Sequence, residues 1–126
     1  MERKVIRTTD SPEIGLPLSQ AIKFDKLIFT SGVTARDPKT KQFIGGDIEK
    51  QTEQVMLNLE KILEAAGSSL EKVVKVTVFL TDIRDFEGMN RVYHKFFPKE
   101  PPARSTIEVS RLAIDARVEI EMIAGI

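Results

Sequence analysis

Arg104 follows Pro101-Pro102-Ala103 at the start of a β-branched stretch. A guanidinium fixed at that point is a rigid, two-pronged receiver for a carboxylate. An arginine at a sheet edge also snorkels into water with no ligand at all, and the residue type alone leaves both readings open. Glu119 and Glu121 alternate along the last apolar run, so they share one face of a strand, expected beside the strand of Arg104. A carboxylate in a partly dry pocket holds its proton more tightly and can act as a general base on water. The plainer alternatives are a solvent-facing strand residue or a structural partner of Arg104. Ser31-Gly32 closes an earlier apolar run. Glycine there either lets a ligand approach backbone N–H groups or simply ends a strand. Asn90 lies in a helical stretch, where its amide can hold a polar group or face water. His94 is the single histidine, and no co-ligands at metal-binding spacing surround it, so neither a metal nor a cofactor is expected.

Other catalytic kits are missing. The chain has no G-x-S-x-G elbow, no Walker loop and no G-x-G-x-x-G after a strand. It has no cysteine, which excludes a disulfide framework, a thiolate zinc site and a cysteine nucleophile. Nineteen basic residues balance nineteen acidic ones, so the field that draws a protein to nucleic acid or anionic lipid is lacking. No apolar run approaches a membrane span, and MERKVIRTTD has no signal-peptide core. The expectation is a cytoplasmic protein whose partners are small molecules and copies of itself.

The elements that must position these groups read in the order β-β-β-α-β-α-β-β, one domain over residues 1–126. Val5-Ile6 suggests a short strand. Ser19 to Phe24 and Leu27 to Ser31 predict a hairpin closed by Asp25-Lys26. Ile48, Val55, Met56, Leu59, Ile62, Leu63 and Ala66 form a helical stripe, with Asp47 as N-cap and Gly67 as stop. Val73 to Leu80 is apolar on both faces and belongs inside a sheet. Asp82 can cap a second helix whose shared face carries Phe86, Met89 and Tyr93, and Pro98 ends it. Two last strands follow, Arg104 to Ser110 and Arg117 to Ala124. By parity, Ile107 and Val109 oppose Arg104, Thr106 and Glu108, while Val118, Ile120, Met122 and Ala124 oppose Glu119, Glu121 and Ile123. One face is expected under the helices; the other is expected to gather the arginine and the carboxylates.

The same stretches resemble the RidA / YjgF family of imine and enamine deaminases. Pro101-Pro102-Ala103-Arg104-Ser105-Thr106, with Glu108-Val109 and Arg111-Leu112, is similar to its C-terminal signature, and Val118 to Ala124 to its last strand. Phe29-Thr30-Ser31-Gly32, Asp37-Pro38-Lys39-Thr40, Gly46-Asp47-Ile48, Glu64-Ala65-Ala66-Gly67 and Met89-Asn90 match in order along nearly the whole chain. The resemblance implies an α+β, chorismate-mutase-like mixed sheet with two helices on one face, a homotrimer with clefts between subunits, and hydrolysis of 2-imino acids to 2-keto acids without a cofactor. It further implies that Arg104 grips the substrate carboxylate and that Glu119 orients or activates water. Ser31, Gly32, Asn90, Thr106 and Leu18 would line the cleft. Two departures stand out: Leu18 replaces the usual tyrosine, and Val33-Thr34-Ala35 replaces Gln-Ile-Pro. A non-catalytic trimer binding small carboxylates in the same cleft is the alternative. The neutral charge and the lack of paired histidines argue against a ribonuclease.

Overall fold

The computed structural model describes residues 2–126. The strands are β1 (Arg3–Ile6), β2 (Ala21–Phe24), β3 (Leu27–Thr30), β4 (Val73–Leu80), β5 (Ala103–Glu108) and β6 (Val118–Gly125), and the helices are α1 (Ile48–Ala65) and α2 (Phe86–Phe96). They form one six-stranded sheet in the order β1-β2-β3-β6-β4-β5. Only β4 and β5 run parallel; the other pairs are antiparallel. This is the expected mixed α+β sheet with both helices on one face. β4 lies inside it, as its apolar composition requires.

Local chemistry sets the ends of these elements. Asp25-Lys26 closes the β2–β3 hairpin with Phe24 opposite Leu27, and Asp25 takes the left-handed φ of 55° that so short a turn demands. Asp47 caps α1 by accepting from the Lys50 amide at 2.8 Å. Gly67, at φ 82°, stops the helix: its N–H donates to the Glu64 carbonyl and that of Ser68 to the Leu63 carbonyl, the paired bonds of a Schellman end. Asp82 caps a 3-10 turn, Ile83–Asp85, which then feeds α2, so its cap acts one turn earlier than the sequence predicts.

The stripe of α1 is buried as read, with Val55, Met56, Leu59 and Leu63 fully covered against Ile28, Val76, Val78, Ile120 and Ala124 of the sheet. Two expectations about the last strands need correction. β5 and β6 are not neighbours, because β4 lies between them. Nor do Arg104 and the carboxylates share a face. Arg104, Val76 and Met122 form one cross-strand row, and Ile107, Phe79 and Glu119 another, on the opposite face. Val76 and Met122 are core residues, so Arg104 is on the helix side and Ile107, 46% exposed, on the open side. Alternation groups residues within a strand; only pairing with a core strand decides which group goes under the helices.

The open face is therefore mixed rather than polar. Val5, Ile22, Phe29 and Ile123 make one apolar row across β1, β2, β3 and β6, with Phe24 and Leu27 beside it. Lys75, Thr77, Ser105, Glu119 and Glu121 occupy the β4–β5 end. Among the described residues no helix is long and apolar enough to cross a membrane.

Asp47 is exposed, so its truncation tests the cap and no packing. Asp47→Ala is expected to lower the unfolding free energy by about 1 kcal/mol in urea titration, and Asp47→Asn by much less.

Candidate active site

The site residues fall into two groups, one on each face of the sheet. On the helix face, Arg104 is half-buried, and its guanidinium lies over the Tyr93 ring at 4.6 Å and near that of Phe86 at 5.7 Å. Nη1 reaches the Met89 sulfur at 3.9 Å, a weak acceptor. The aromatic stripe of α2 thus holds a cation where a core helix would meet another apolar strand. No carboxylate pairs with Arg104 among the described residues. Two hydroxyls complete the group: Thr106 Oγ1 and Tyr93 Oη are both buried with no hydrogen-bond partner. Burial raises the Tyr93 pKa, while the neighbouring Arg104 cation pulls it back down. Asn90 follows Met89 on α2, half-buried, its amide making no hydrogen bond among the described residues. A half-buried guanidinium with no carboxylate partner among the described residues is able to take an anion.

On the open face, Glu119 stands at mid-strand on β6, half-buried. Its pKa is raised above the ordinary 4.5, first by burial and then by the like charge of Glu121. Gly32 lies directly against it. A Cβ built on Gly32 would fall on the carboxylate and stand 2.8 Å from Glu119 Cδ. Gly32 is not in a left-handed conformation, so what glycine supplies here is room for the Glu119 side chain, which a methyl group would push aside. The chain crosses β6 at this point through Val33, which exchanges both backbone bonds with Ile120 at 2.9 and 3.1 Å. Ser31 is bonded to the preceding segment, Oγ donating to the Ser19 carbonyl at 2.6 Å and N to that of Gln20 at 3.0 Å. Ser31, Gly32 and Leu18 line a cavity of about 180 Å³, and Leu18 is half-exposed at its edge.

The structure accordingly sets Gly32 against Glu119, gathers Leu18, Ser31 and Gly32 on one cavity that Glu119 does not line, and separately seats Arg104 on Phe86, Met89 and Tyr93 of α2. It does not bring Arg104 to Glu119 within one chain. The sequence reading did not single out Tyr93, Phe86 and Met89 as a seat for Arg104. Their helical spacing was legible, but it reads as ordinary core until the cation is seen lying on it. Arg36 and Ser11, which also line the cavity, gave no signal in the sequence.

The architecture is that of a small mixed α+β protein with one polar group on each face of its sheet. A solved Escherichia coli protein, TdcF with bound serine, superposes with a TM-score of 0.92 at 36% identity, over 98% of this chain and 98% of its own. Residues 8–126 match the family described as Endoribonuclease L-PSP. A RutC family protein of Pyrococcus horikoshii is 49% identical over 122 residues, covering 97% of each chain. Reactive Intermediate Deaminase A, chloroplastic, of Arabidopsis thaliana is 44% identical over 124 residues, covering 98% of this chain and 66% of its own. The chain belongs to the YjgF/RidA/RutC family, which at family level supports a Rid-type deaminase.

Gly32→Ala is expected to leave circular dichroism unchanged while driving the Glu119 carboxylate outward. Less burial means a smaller upward shift, so an NMR titration of the Glu119 carboxyl should find its pKa moved back towards 4.5. An unmoved titration would show that the two residues do not meet.

Proposed function

We propose that this protein hydrolyses the C=N bond of 2-imino acids and their enamine tautomers, such as 2-aminoacrylate/2-iminopropanoate and 2-iminobutanoate, and does so as a cytoplasmic homotrimer. The observation that carries the reading is Arg104: a half-buried guanidinium, seated on two aromatic rings, with no carboxylate of its own. Leaving such a cation without an anion is costly, and a substrate carboxylate would supply the missing partner. The solved relative with bound serine holds a ligand bearing that group.

Arg104 and Glu119 face opposite sides of one sheet, so a single copy offers only half of a site. A second copy would bring its Arg104 to this copy's Glu119 and Gly32. The apolar half of the open face supports such assembly, with Val5, Phe24, Leu27 and Phe29 each about 40% exposed. In the joined cleft Arg104 fixes the carboxylate and so fixes the face of C2 open to attack. The substrate enters as the protonated imine. Water adds its oxygen to C2, the C=N electron pair moves to nitrogen, and Glu119 takes the water proton. The carbinolamine then breaks its C–N bond: the Glu119 proton passes to nitrogen, the C–N electron pair leaves with it, and the hydroxyl proton departs to the released ammonia as ammonium while the C2 oxygen becomes the keto group. The raised pKa of Glu119 suits both halves, because a stronger base accepts the proton and a neighbouring leaving group recovers it. Every step is addition, elimination or proton transfer, which these groups can perform without a cofactor.

Leu18 favours a second reading. It presents no polar atom where the resemblance implies a tyrosine, which fits a trimer that binds keto acids without turning imines over. A coupled assay separates the two. With a dehydratase generating the imine in situ, the protein should accelerate keto-acid release; stable binding without acceleration supports the binding module.

Arg104→Ala should weaken binding of a stable keto acid by about a hundredfold, roughly the 3 kcal/mol of a charge-assisted pair, and Arg104→Lys should restore little of it. Wild-type affinity in Arg104→Ala, measured by calorimetry, would overturn the site.

Mixing offers a sharper check on the shared cleft. Arg104→Ala and Glu119→Gln should each be inactive, yet co-refolded together they should regain turnover, since some clefts then combine an intact arginine with an intact glutamate. No recovery, with light scattering showing monomers, would sink the interfacial site.

A further inference from the structure

Arg104 lies on an edge strand. β4 flanks it on one side, where it pairs with Val76, and no strand of the sheet flanks it on the other. Its backbone is anchored along one side only, and a side chain this long keeps many rotamers unless something seats it. The seat is on α2. Tyr93 stands closer than Phe86, with ring centroids 4.6 and 5.7 Å from the guanidinium carbon. The two rings also differ in how firmly they are held. Phe86 is 38% exposed, whereas Tyr93 is 6% exposed. Tyr93 is braced by Phe97, itself buried, at 4.9 Å between ring centroids and a tilt of 47°. A buried, braced ring attracts a cation more strongly than one that water reaches.

What this seat leaves free matters as much. A ring face holds the guanidinium through its charge and uses none of its N–H donors. Among the described residues the Arg104 side chain makes one hydrogen bond, the weak one to the Met89 sulfur at 3.9 Å. An acid in the place of Tyr93 would have taken the donors that a carboxylate ligand needs. The Tyr93 hydroxyl makes no hydrogen bond, either to Arg104 or to any other described group.

We infer that Tyr93 is the positioning residue of the site: its ring, not its hydroxyl, fixes the Arg104 guanidinium in the orientation that receives a substrate carboxylate. This rests on the reading of Arg104 as the carboxylate receptor. Tyr93 acts through Arg104, removing rotamer freedom that the ligand would otherwise have to freeze on binding. Phe86, more exposed and farther away, and Met89 complete the seat without setting it.

Tyr93 is the single tyrosine of the chain. Growth on 3-fluorotyrosine therefore labels this ring alone, with almost no change of shape. Fluorine withdraws electron density from the ring face and weakens its hold on a cation. In calorimetry with 2-oxobutanoate, at a pH that keeps the phenol neutral, the labelled protein should bind about twofold more weakly than wild type. Its fluorine resonance should shift on Arg104→Ala and on addition of 2-oxobutanoate. Tyr93→Leu removes the ring and should lose about tenfold in affinity, and Tyr93→Phe should recover most of that loss. In an Arg104→Ala background, Tyr93→Leu should change nothing further, because its effect passes through the guanidinium. The labelled protein keeps the test valid if Tyr93→Leu fails to fold. A fluorine resonance indifferent to Arg104→Ala, a loss in Tyr93→Phe equal to that in Tyr93→Leu, or equal losses from Tyr93→Leu with and without Arg104 overturns the positioning role. Arg104→Ala alone tells which reading has failed. If it weakens binding, the carboxylate receptor stands and only the seat falls. If it binds as wild type does, or if wild type binds no 2-oxobutanoate, both fall together.

Discussion

Side chains in a strand must alternate between the two faces of a sheet, and in this molecule that alternation is locked by three strands in register. The row Arg104–Val76–Met122 lies on one face and the row Ile107–Phe79–Glu119 on the other. A slip of β5 by one residue would put Ile107 under the helices and Arg104 beside the glutamates, and would exchange both faces of the edge strand at once. Because Val76 and Met122 are core residues, such a slip is opposed by everything packed on β4 and β6. The separation of the arginine from the glutamate therefore follows from the same burial that holds the fold together. A site that needs both must be completed by another copy.

Placing a guanidinium on the helix side is tolerable only because of what faces it. β5 is an edge strand, and the helix presenting there is α2 with Phe86, Met89 and Tyr93. Aromatic faces attract a cation without neutralising it, so Arg104 is held in place and remains able to take an anion. An acidic neighbour would have held it more firmly and silenced it.

Glu119 shows the complementary device. Among the described residues nothing bonds its carboxylate; burial and Glu121 both disfavour its charge, and Gly32 leaves it room. A base that is uncomfortable when ionised is a better proton acceptor. The chain at Gly32 and Val33 passes close to this carboxylate and also lines the cavity, so it stands between the two.

Much of the framework was legible in the sequence because it is local. The stripe of α1, its Asp47 cap and Gly67 stop, the two-residue hairpin at Asp25-Lys26 and the interior character of β4 each depend on neighbours within a few residues. So does the identity of Arg104, Glu119, Ser31 and Gly32 as residues with chemical potential, and the family resemblance they carry. Sequence parity also grouped Arg104 with Thr106, and Glu119 with Glu121, correctly. It could not say that β4 separates the last two strands, nor which group turns towards the helices, because both are settled by pairing between residues far apart in the chain. The seat of Arg104 on Tyr93, the fit of Gly32 against Glu119 and the meeting of Ser11 with Arg36 in one cavity are likewise contacts across long separations. Nothing in local spacing encodes them; they exist only once the core has fixed where each strand lies.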